Sequence, residues 1–316
     1  MLVSAGKPSH PLDVIMSVYN DRVFLPLAVQ SVLAQTWKDF RLLIADDGST
    51  DGTGEILDAI AQQDARVFVL HQENMGLPKT LNKLIRLSTA RYIARQDSDD
   101  LSHPERFARQ IAYLEKHRDV MLLGTSAHII DTDGEVLKTE YQMTGSRRLA
   151  RALRSRNRFI HGSVMFRRQC LEKVGLYEEH VFTAEDYDLF LRISEHFKVD
   201  NLYEPLYLYR IHPHSISVKK CAMQQRMVAV IREAARLRRK GKINSWSGDV
   251  YEMLNRRVST PFRKRLERSN VHLELGRFHR LNGRIADARK DFLAAVLLIP
   301  SPRRLYHLLR LLVLHR

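Results

Sequence analysis

The chain has only two cysteines, Cys170 and Cys221, in 316 residues, and neither stands in a CxxC spacing or beside other metal-ligating residues. That excludes a disulfide framework, argues against a zinc site, and leads us to expect reduced thiols in the cytoplasm. Long apolar runs are lacking too: the stretch Leu293 to Ile299 falls far short of the roughly 20 residues that cross a bilayer. Residues 1–10 show no positive start followed by an apolar core, so no signal peptide is expected. Any membrane contact is therefore expected to be peripheral. Glycine is missing from Val18-Tyr19-Asn20-Asp21, the loop after the first apolar run, where a nucleotidyltransferase on an α/β scaffold would want a Gly-rich phosphate loop.

Acidic residues are scarce at one end only. From Lys219 to Arg316 there are 24 Lys+Arg against 7 Asp+Glu, so the net charge of +15 belongs to this tail, while residues 1–218 hold 27 against 29. A nucleic-acid or nucleotide-binding tail would interleave aromatics with its arginines for base stacking; Trp246, Tyr251, Phe262, Phe278, Phe292 and Tyr306 are merely scattered, and no nucleic-acid partner is expected. Arg232, Arg236, Arg239, Lys240 and Lys242 share one helical stretch. Further on, Leu305, Leu308, Leu309, Leu311 and Leu312 form an apolar face beside Arg303, Arg304, Arg310 and Arg316. That is the composition of an interfacial helix, and it predicts a peripheral site on the anionic inner face of the cell membrane. A solvated helical bundle, a homo-oligomer contact or a partner-docking surface is the alternative use of the same residues.

What is present in the first two thirds is a repeated strand–helix alternation. Strands are expected at Asp13–Val18, Phe40–Ala45, Val67–Leu70, Tyr92–Ala94 and Val120–Gly124, with helices at Phe24–Gln35, Thr53–Ala61, Lys79–Leu87 and Pro104–Lys116. The alternation implies βαβ crossovers and a mainly parallel α/β sheet flanked by helices. Then Ser126–Ile130 and Glu135–Lys138 bracket an Asp131-Thr132-Asp133-Gly134 hairpin turn. A basic helix near Arg147–Arg156, a strand at Gly162–Phe166, a helix at Ala184–His196 and short strands at Val199–Leu202 and Leu206–Ile211 follow. After Ser217 only helices are expected: Ala222–Lys240, Ser247–Arg268 broken near Pro261, and a pair from His272 with tetratricopeptide-like small residues. The domain division expected is 1–217, catalytic, and 218–316, basic and all-helical.

Two acidic clusters, Asp46-Asp47-Gly48-Ser49-Thr50-Asp51 and Asp97-Ser98-Asp99-Asp100, follow apolar runs and so belong at strand C-terminal ends, where open α/β sheets bind ligands. Carboxylates crowded there repel unless something positive lies between them, and a divalent cation carrying a nucleoside diphosphate satisfies both. A carboxylate at the first strand end can accept a uracil or thymine N3–H; the same residues also read as a capped turn entering a helix, with Thr50 or Asp51 as cap. Glu185-Asp186 opens an amphipathic helix, where acids are ordinary dipole partners.

Taken in order, Val18-Tyr19-Asn20, Asp46 to Asp51, Asn74-Met75-Gly76, Arg95 to Asp100, His161-Gly162-Ser163-Val164-Met165-Phe166 and Glu185-Asp186-Tyr187-Asp188-Leu189 resemble the family-2 inverting glycosyltransferases of GT-A fold, over about residues 11 to 215. The resemblance implies that Val18, Tyr19, Asn20 and Asp47, with Asp46 as alternative, hold the base and ribose of a nucleotide sugar, UDP-linked by family habit. It implies that Asp97 reaches ribose or sugar, that Asp99, with Asp97, holds Mn²⁺ or Mg²⁺, and that Asp186 is the catalytic base with Glu185 orienting it or binding the acceptor. Lys79, Arg95 and Arg210 are expected to offset the charge of the leaving diphosphate, and His212 to add a metal or phosphate contact, although a lone His before Pro is more often a plain loop residue. The acceptor implied is a lipid-linked or growing cell-surface glycan. His161-Gly162 departs from the family's His-Pro, which predicts a looser acceptor loop.

Overall fold

The computed structural model describes residues 10–181, 183–212, 221–243, 246–259, 261–281 and 283–313. It divides into two compact units, one of residues 1–179 with 185–211 and one of residues 180–184 with 212–316.

In the first unit, β1 (Leu12–Val18), β2 (Phe40–Asp46), β3 (Val67–His71) and β4 (Tyr92–Arg95) alternate with α1 (Leu25–Leu33), α2 (Thr53–Gln63) and α3 (Leu77–Leu87). β1 and β2 are buried along almost their whole length, as strands covered on both faces must be. α3 buries Leu81, Leu84 and Ile85, the i, i+3, i+4 stripe of a helix lying on a sheet. There follow β5 (Leu101–Ser102), α4 (Arg106–Lys116), β6 (Val120–Ile130), β7 (Val136–Glu140), α5 (Ser146–Leu153), a 3₁₀ turn at His161–Ser163, β8 (Met165–Arg167), α6 (Cys170–Val174), α7 (Glu185–His196) and β9 (Lys198–Arg210).

All nine strands join one sheet in the order β3-β2-β1-β4-β8-β6-β9-β5, with β7 beside β6. The parallel run expected from the βαβ alternation is the β3-β2-β1-β4 half. Beyond it the sheet is mixed: β8 runs antiparallel to β4 and β6, β6 and β9 are parallel, and β5 is antiparallel to β9. The strand order reverses at β1, so the crevice between β1 and β4 is the switch point at which such sheets bind ligands.

Three strand assignments change. Val120–Gly124 and Ser126–Ile130 are one 11-residue strand, β6, and the two short closing strands are one 13-residue strand, β9. The expected breaks fall at Thr125 and at Tyr203–Pro205, where the β6–β9 register jumps from Thr125↔Leu202 to Ser126↔Pro205, leaving Tyr203 and Glu204 as a bulge. A bulge is where a strand tolerates a proline. The first half of the strand expected at Gly162–Phe166 is the 3₁₀ turn. The core joins β1 residues such as Val14 and Met16 to Leu42, Ile44 and Phe107, with Phe40 and Phe107 edge to face at 5.6 Å.

The second unit comprises α8 (Cys221–Arg238), α9 (Gly248–Val258), α10 (Pro261–Leu281), α11 (Ile285–Leu298) and α12 (Pro302–Val313). Ser247 caps α9 by accepting the Val250 N–H at 3.2 Å. The helix pair expected from His272 starts earlier, at Pro261, a residue suited to a first helical turn. α10 and α11 pack closely because position 276 lacks a side chain: a Cβ there would lie 2.6 Å from Phe292. Lys219 and Arg316, and the side chains of Arg303, Arg310, Leu311 and Leu312, lie outside the described residues. Among the described residues no helix is long and apolar enough to cross a membrane.

Candidate active site

The switch-point rim is assembled from three strand ends. Val18 ends β1, Asp46 ends β2 and Arg95 ends β4, with β1 in the middle. The loop after β1 is zipped to the loop after β2: Asn20 N–H donates to Ser49 Oγ at 2.9 Å, Thr50 N–H to Asn20 Oδ1 at 2.8 Å, and Arg22 N–H to Asp51 Oδ2 at 3.2 Å. Asn20 takes a left-handed φ of 52°, a conformation Asn tolerates better than most residues. Tyr19 is half exposed beside it, whereas the Val18 side chain is buried and only its carbonyl faces Asp47, whose N–H it accepts at 2.9 Å.

Asp46 and Asp47 are both buried. Asp47 Oδ1 accepts from Gln72 Nε2 at 2.8 Å and from Met75 N–H at 2.9 Å, and Oδ2 accepts Gly76 N–H at 2.9 Å. Three of its roughly four acceptor positions are thus taken in holding the Asn74-Met75-Gly76 loop, and one is left on Oδ2. Asp46 accepts Ser49 N–H at 3.0 Å and pairs with His71 Nδ1 at 3.1 Å, while His71 Nε2 reaches Asp58 at 3.0 Å. The two acids together raise the His71 pKa, Asp58 more than Asp46. Asp51 accepts from both the N–H and the hydroxyl of Thr53 in an Asx turn; the cap of α2 is Gly52, at φ 92° and without a side-chain cap, so neither Thr50 nor Asp51 is the cap expected.

The second cluster sits against a buried cation. Arg95 is 1 % exposed and donates through Nη2 to Asp97 Oδ1 at 2.6 Å, while its Nε and Nη1 have no partner among the described residues. Burial works against its charge, but Asp97, Tyr177, Tyr207 and Glu185 outweigh it and raise the pKa. The same surroundings keep His161 neutral: burial and then Arg95 push it down to about 3, and its Nε2 pairs with the Tyr177 hydroxyl at 2.9 Å. Gly162 is where the rim is tightest. A Cβ at 162 would stand 1.8 Å from the Tyr207 hydroxyl and 2.6 Å from Asp97 Oδ2, so neither alanine nor the family's proline fits here. The Tyr207 oxygen accepts the Asp97 N–H at 3.2 Å. The departure at Gly162 therefore makes room for Tyr207 rather than loosening the loop.

Asp100 is buried, and its pKa is raised well above the ordinary carboxylate range by burial, Asp99 and Asp97. Its Oδ1 accepts Arg210 N–H at 2.6 Å and its Oδ2 has no partner among the described residues. Arg210 itself spends its guanidinium on backbone: Nε on Asp99 O at 2.8 Å, Nη1 on Asp131 O at 2.8 Å and Thr132 O at 3.0 Å. It holds the acidic loop. Lys79 is exposed on the first turn of α3, and His212, two residues beyond β9, belongs to the second unit. Among the described residues no group of three or more His, Cys, Asp or Glu is disposed to hold a metal ion. A hard divalent cation bound with a diphosphate needs only one or two protein carboxylates, however, and the excess negative charge that burdens Asp100 is what such an ion relieves.

Glu185 and Asp186 open α7. Both are pushed up from the ordinary carboxylate range: Glu185 by burial and then by Asp186, and Asp186 by burial, against the opposing pull of the Tyr187 N–H and of Asn157. Asn157 Nδ2 donates to Asp186 Oδ2 at 2.7 Å, and Tyr187 Oη donates to the Leu153 carbonyl at 2.6 Å, fixing the end of α5 beside the pair. Asp97 also contributes to the upward shift of both acids, which brings the second acidic cluster and the α7 pair into one electrostatic neighbourhood. Sequence reasoning missed Tyr177, Tyr207 and Asn157. Nothing in their local spacing distinguishes them, since each acts across the fold.

Comparison with known proteins shows the family and the fold. Residues 13–175 match the family described as Glycosyl transferase family 2. A putative glycosyltransferase, EpsE, of Bacillus subtilis is 35 % identical over 209 residues, 63 % of this chain and 72 % of that protein. The O-antigen biosynthesis glycosyltransferase WbnJ of Escherichia coli is 33 % identical over 208 residues, 65 % of this chain and 81 % of its own. Residues 1–349 of S. aureus TarS, solved in complex with UDP, superpose with a TM-score of 0.57 at 19 % identity, covering 93 % and 91 % of the two chains. A longer TarS chain is spanned to 54 % of its length. The mannosyltransferase PcManGT of Pyrobaculum calidifontis, in complex with GDP-Man and Mn²⁺, gives 0.55 at 15 % identity over 96 % and 81 %. At these identities the two structures establish the shared fold.

Proposed function

The chain belongs to glycosyl transferase family 2, and we propose that it moves a sugar from a nucleoside diphosphate, UDP by preference, to a hydroxyl of a polysaccharide under construction, with inversion at the anomeric carbon. The observation that carries this reading is the Glu185-Asp186 pair, its basicity raised by burial, in the same neighbourhood as Arg95 and Asp97. A base must take the acceptor hydroxyl's proton as the oxygen attacks, and a carboxylate shifted toward neutrality both exists as the anion and holds the proton. Asp186 takes that proton on the oxygen not committed to Asn157. Glu185, the harder of the two to ionise beside Asp186, keeps its proton and orients by donating.

Asp46 or Asp47 receives the base, Tyr19 and Asn20 frame it, and Asp97 meets the ribose or sugar. The Nε and Nη1 protons of Arg95, unsatisfied within the fold, are suited to the donor's oxygens. Asp99 and Asp97 are the residues that would hold Mn²⁺ or Mg²⁺; when bound, the ion supplies charge neutralisation to the leaving diphosphate. The Mn²⁺ and GDP-Man of PcManGT, the UDP of TarS and the O-antigen role in the name of WbnJ support these readings. The test is nucleoside diphosphate release from a panel of UDP-, dTDP- and GDP-sugars, with Mn²⁺, with Mg²⁺ and with chelator.

A peripheral membrane position is supported by rows of exposed leucines one helical turn apart, Leu293 and Leu297 on α11 and Leu305 and Leu309 on α12. These are apolar faces a lipid surface would cover, and the anionic inner face of the membrane is the surface proposed, because the tail carries the positive charge that such a face attracts.

A further inference from the structure

The basic tail is the obvious positive feature of the sequence, and although it stays strongly positive, several of its arginines are matched by its own acids. Arg236 and Arg257 pair with Glu233, Arg256 with Glu252, Arg277 with Glu274 and Arg284 with Asp287. The catalytic unit holds a cluster that is not matched. Arg147, Arg148, Arg151, Arg154 and Arg156 are exposed on α5 and the turn after it, and none of these guanidinium groups has a carboxylate or hydrogen-bond partner among the described residues. No Asp or Glu occurs between Tyr141 and Leu171. Arg147, Arg151 and Arg154 fall at i, i+4 and i+7, one stripe of the helix, opposite the buried Leu149 and Leu153. Like charges at such spacings are destabilising, a penalty the fold bears without an internal counterion.

The position of the stripe is specific. α5 ends at the Leu153 carbonyl held by Tyr187, and Asn157, the next residue after Arg156, holds the base Asp186. At the other end of α5, Tyr141 and Tyr203 stack face to face, 4.6 Å between centroids and 11° between planes, with 55 % and 61 % of their surfaces exposed. Tyr203 is thrown outward by the β9 bulge. One side chain clamps the two ends: Asn201 Nδ2 donates to Met143 O at 3.0 Å and to Arg158 O at 3.2 Å. The flanks of α5 thus meet at Asn201, so the cationic stripe, about 12 Å long at 1.5 Å per residue, and the exposed aromatic pair, whose ring faces suit the C–H faces of sugars, belong to one segment that returns to the base.

Resting on the transferase reading above, we propose that this ridge seats the acceptor, and that the acceptor is a glycan that itself carries negative charge beyond the reacting hydroxyl. Tyrosine faces take the sugar rings and the arginine stripe takes the anionic groups. A neutral glycan would leave the arginine stripe unused, and the vesicle arm of the test below separates an anionic glycan from an anionic lipid surface.

Calorimetry on the full chain tests it with an oligogalacturonate, a neutral oligoglucan of equal length, inorganic polyphosphate and anionic phospholipid vesicles as probes. Three variants are compared: the ridge variant (Arg147, Arg148, Arg151, Arg154 and Arg156→Gln), the tyrosine variant (Tyr141→Ala with Tyr203→Ala) and a tail variant (Arg239→Gln, Lys240→Gln, Lys242→Gln). The oligogalacturonate should bind far better than the oligoglucan and should weaken with salt. The ridge variant should lose about tenfold or more of that affinity. The tyrosine variant should lose affinity for oligogalacturonate but not for polyphosphate. The tail variant should behave as wild type, and UDP binding should be unchanged throughout. Equal binding of the neutral glycan, unchanged oligogalacturonate binding in the ridge variant, an equal loss in the tail variant, or a ridge effect confined to vesicles would each overturn the proposal. If UDP does not bind the wild type, the transferase reading itself fails; if UDP binds and the charged glycan does not, only the acceptor assignment falls. Should the ridge variant lose UDP binding, Arg151→Gln with Arg154→Gln repeats the comparison at lower risk to the fold.

Discussion

At the scale of single residues, Asp186 and Gly162 decide most. Asp186→Asn keeps the Asn157 contact geometry but cannot take a proton, so transfer should fall by roughly 10²- to 10⁴-fold while donor affinity survives; a collapse of donor affinity instead would make Asp186 a binding residue. The pH dependence follows from sign. The folded-state pKa values of Glu185 and Asp186 are raised, so the stability tied to their protonated forms is full below the unfolded value of about 4 and is lost as pH rises through the folded values. The wild type should therefore melt lower as pH climbs toward neutrality, and Asp186→Asn should flatten that slope and melt higher at pH 7; an unchanged melting curve would contradict the burial of the charge. Gly162→Ala meets the Tyr207 hydroxyl and Asp97 and should cost about 1–3 kcal/mol by denaturant titration, with activity falling further than stability. The positions of Asp46, Asp47, Asp97 and Asp99 were legible in the sequence because they follow strand ends, and those of Glu185 and Asp186 because they open an amphipathic helix. Tyr207 and Asn157 were not, because their partners are Asp97, 110 residues away, and Asp186, 29 residues away.

Among elements, α4 is the support of the acidic loop. Its first residue, Arg106, is fully buried, and burial lowers its pKa to about 10. Its guanidinium donates to Arg95 O at 2.6 Å, Gln96 Oε1 at 3.0 Å, Ser102 Oγ at 2.7 Å and Gln110 Oε1 at 3.2 Å. Arg106→Leu should cost about 3 kcal/mol or more by leaving these acceptors unpaired, and should weaken nucleotide binding although the residue faces no ligand. Unaltered UDP affinity in a folded Arg106→Leu protein would show that the loop holds itself. The helices and parallel strands were legible from their periods. The β6–β9 pairing was not, because a proline and a two-residue bulge inside one long strand read locally as a break.

For the whole molecule, the charge asymmetry was plain in the sequence, but its meaning depended on pairing: several of the tail's arginines are matched by its own acids, whereas none of the α5 stripe is. The peripheral position predicts that full-length protein floats with anionic vesicles at low salt and largely dissociates at high salt, since surface attraction is screened over about 8 Å at physiological ionic strength; retention in the soluble fraction at low salt would leave the exposed leucines of α11 and α12 to a protein partner. The central claim, sugar transfer from a nucleoside diphosphate by an Asp186 base, is tested most directly by nucleoside diphosphate release from a UDP-sugar with an acceptor glycan, wild type beside Asp186→Asn at matched UDP affinity. The account predicts release by the wild type and a loss of at least about 10²-fold in the variant. Equal release by the two proteins would contradict it.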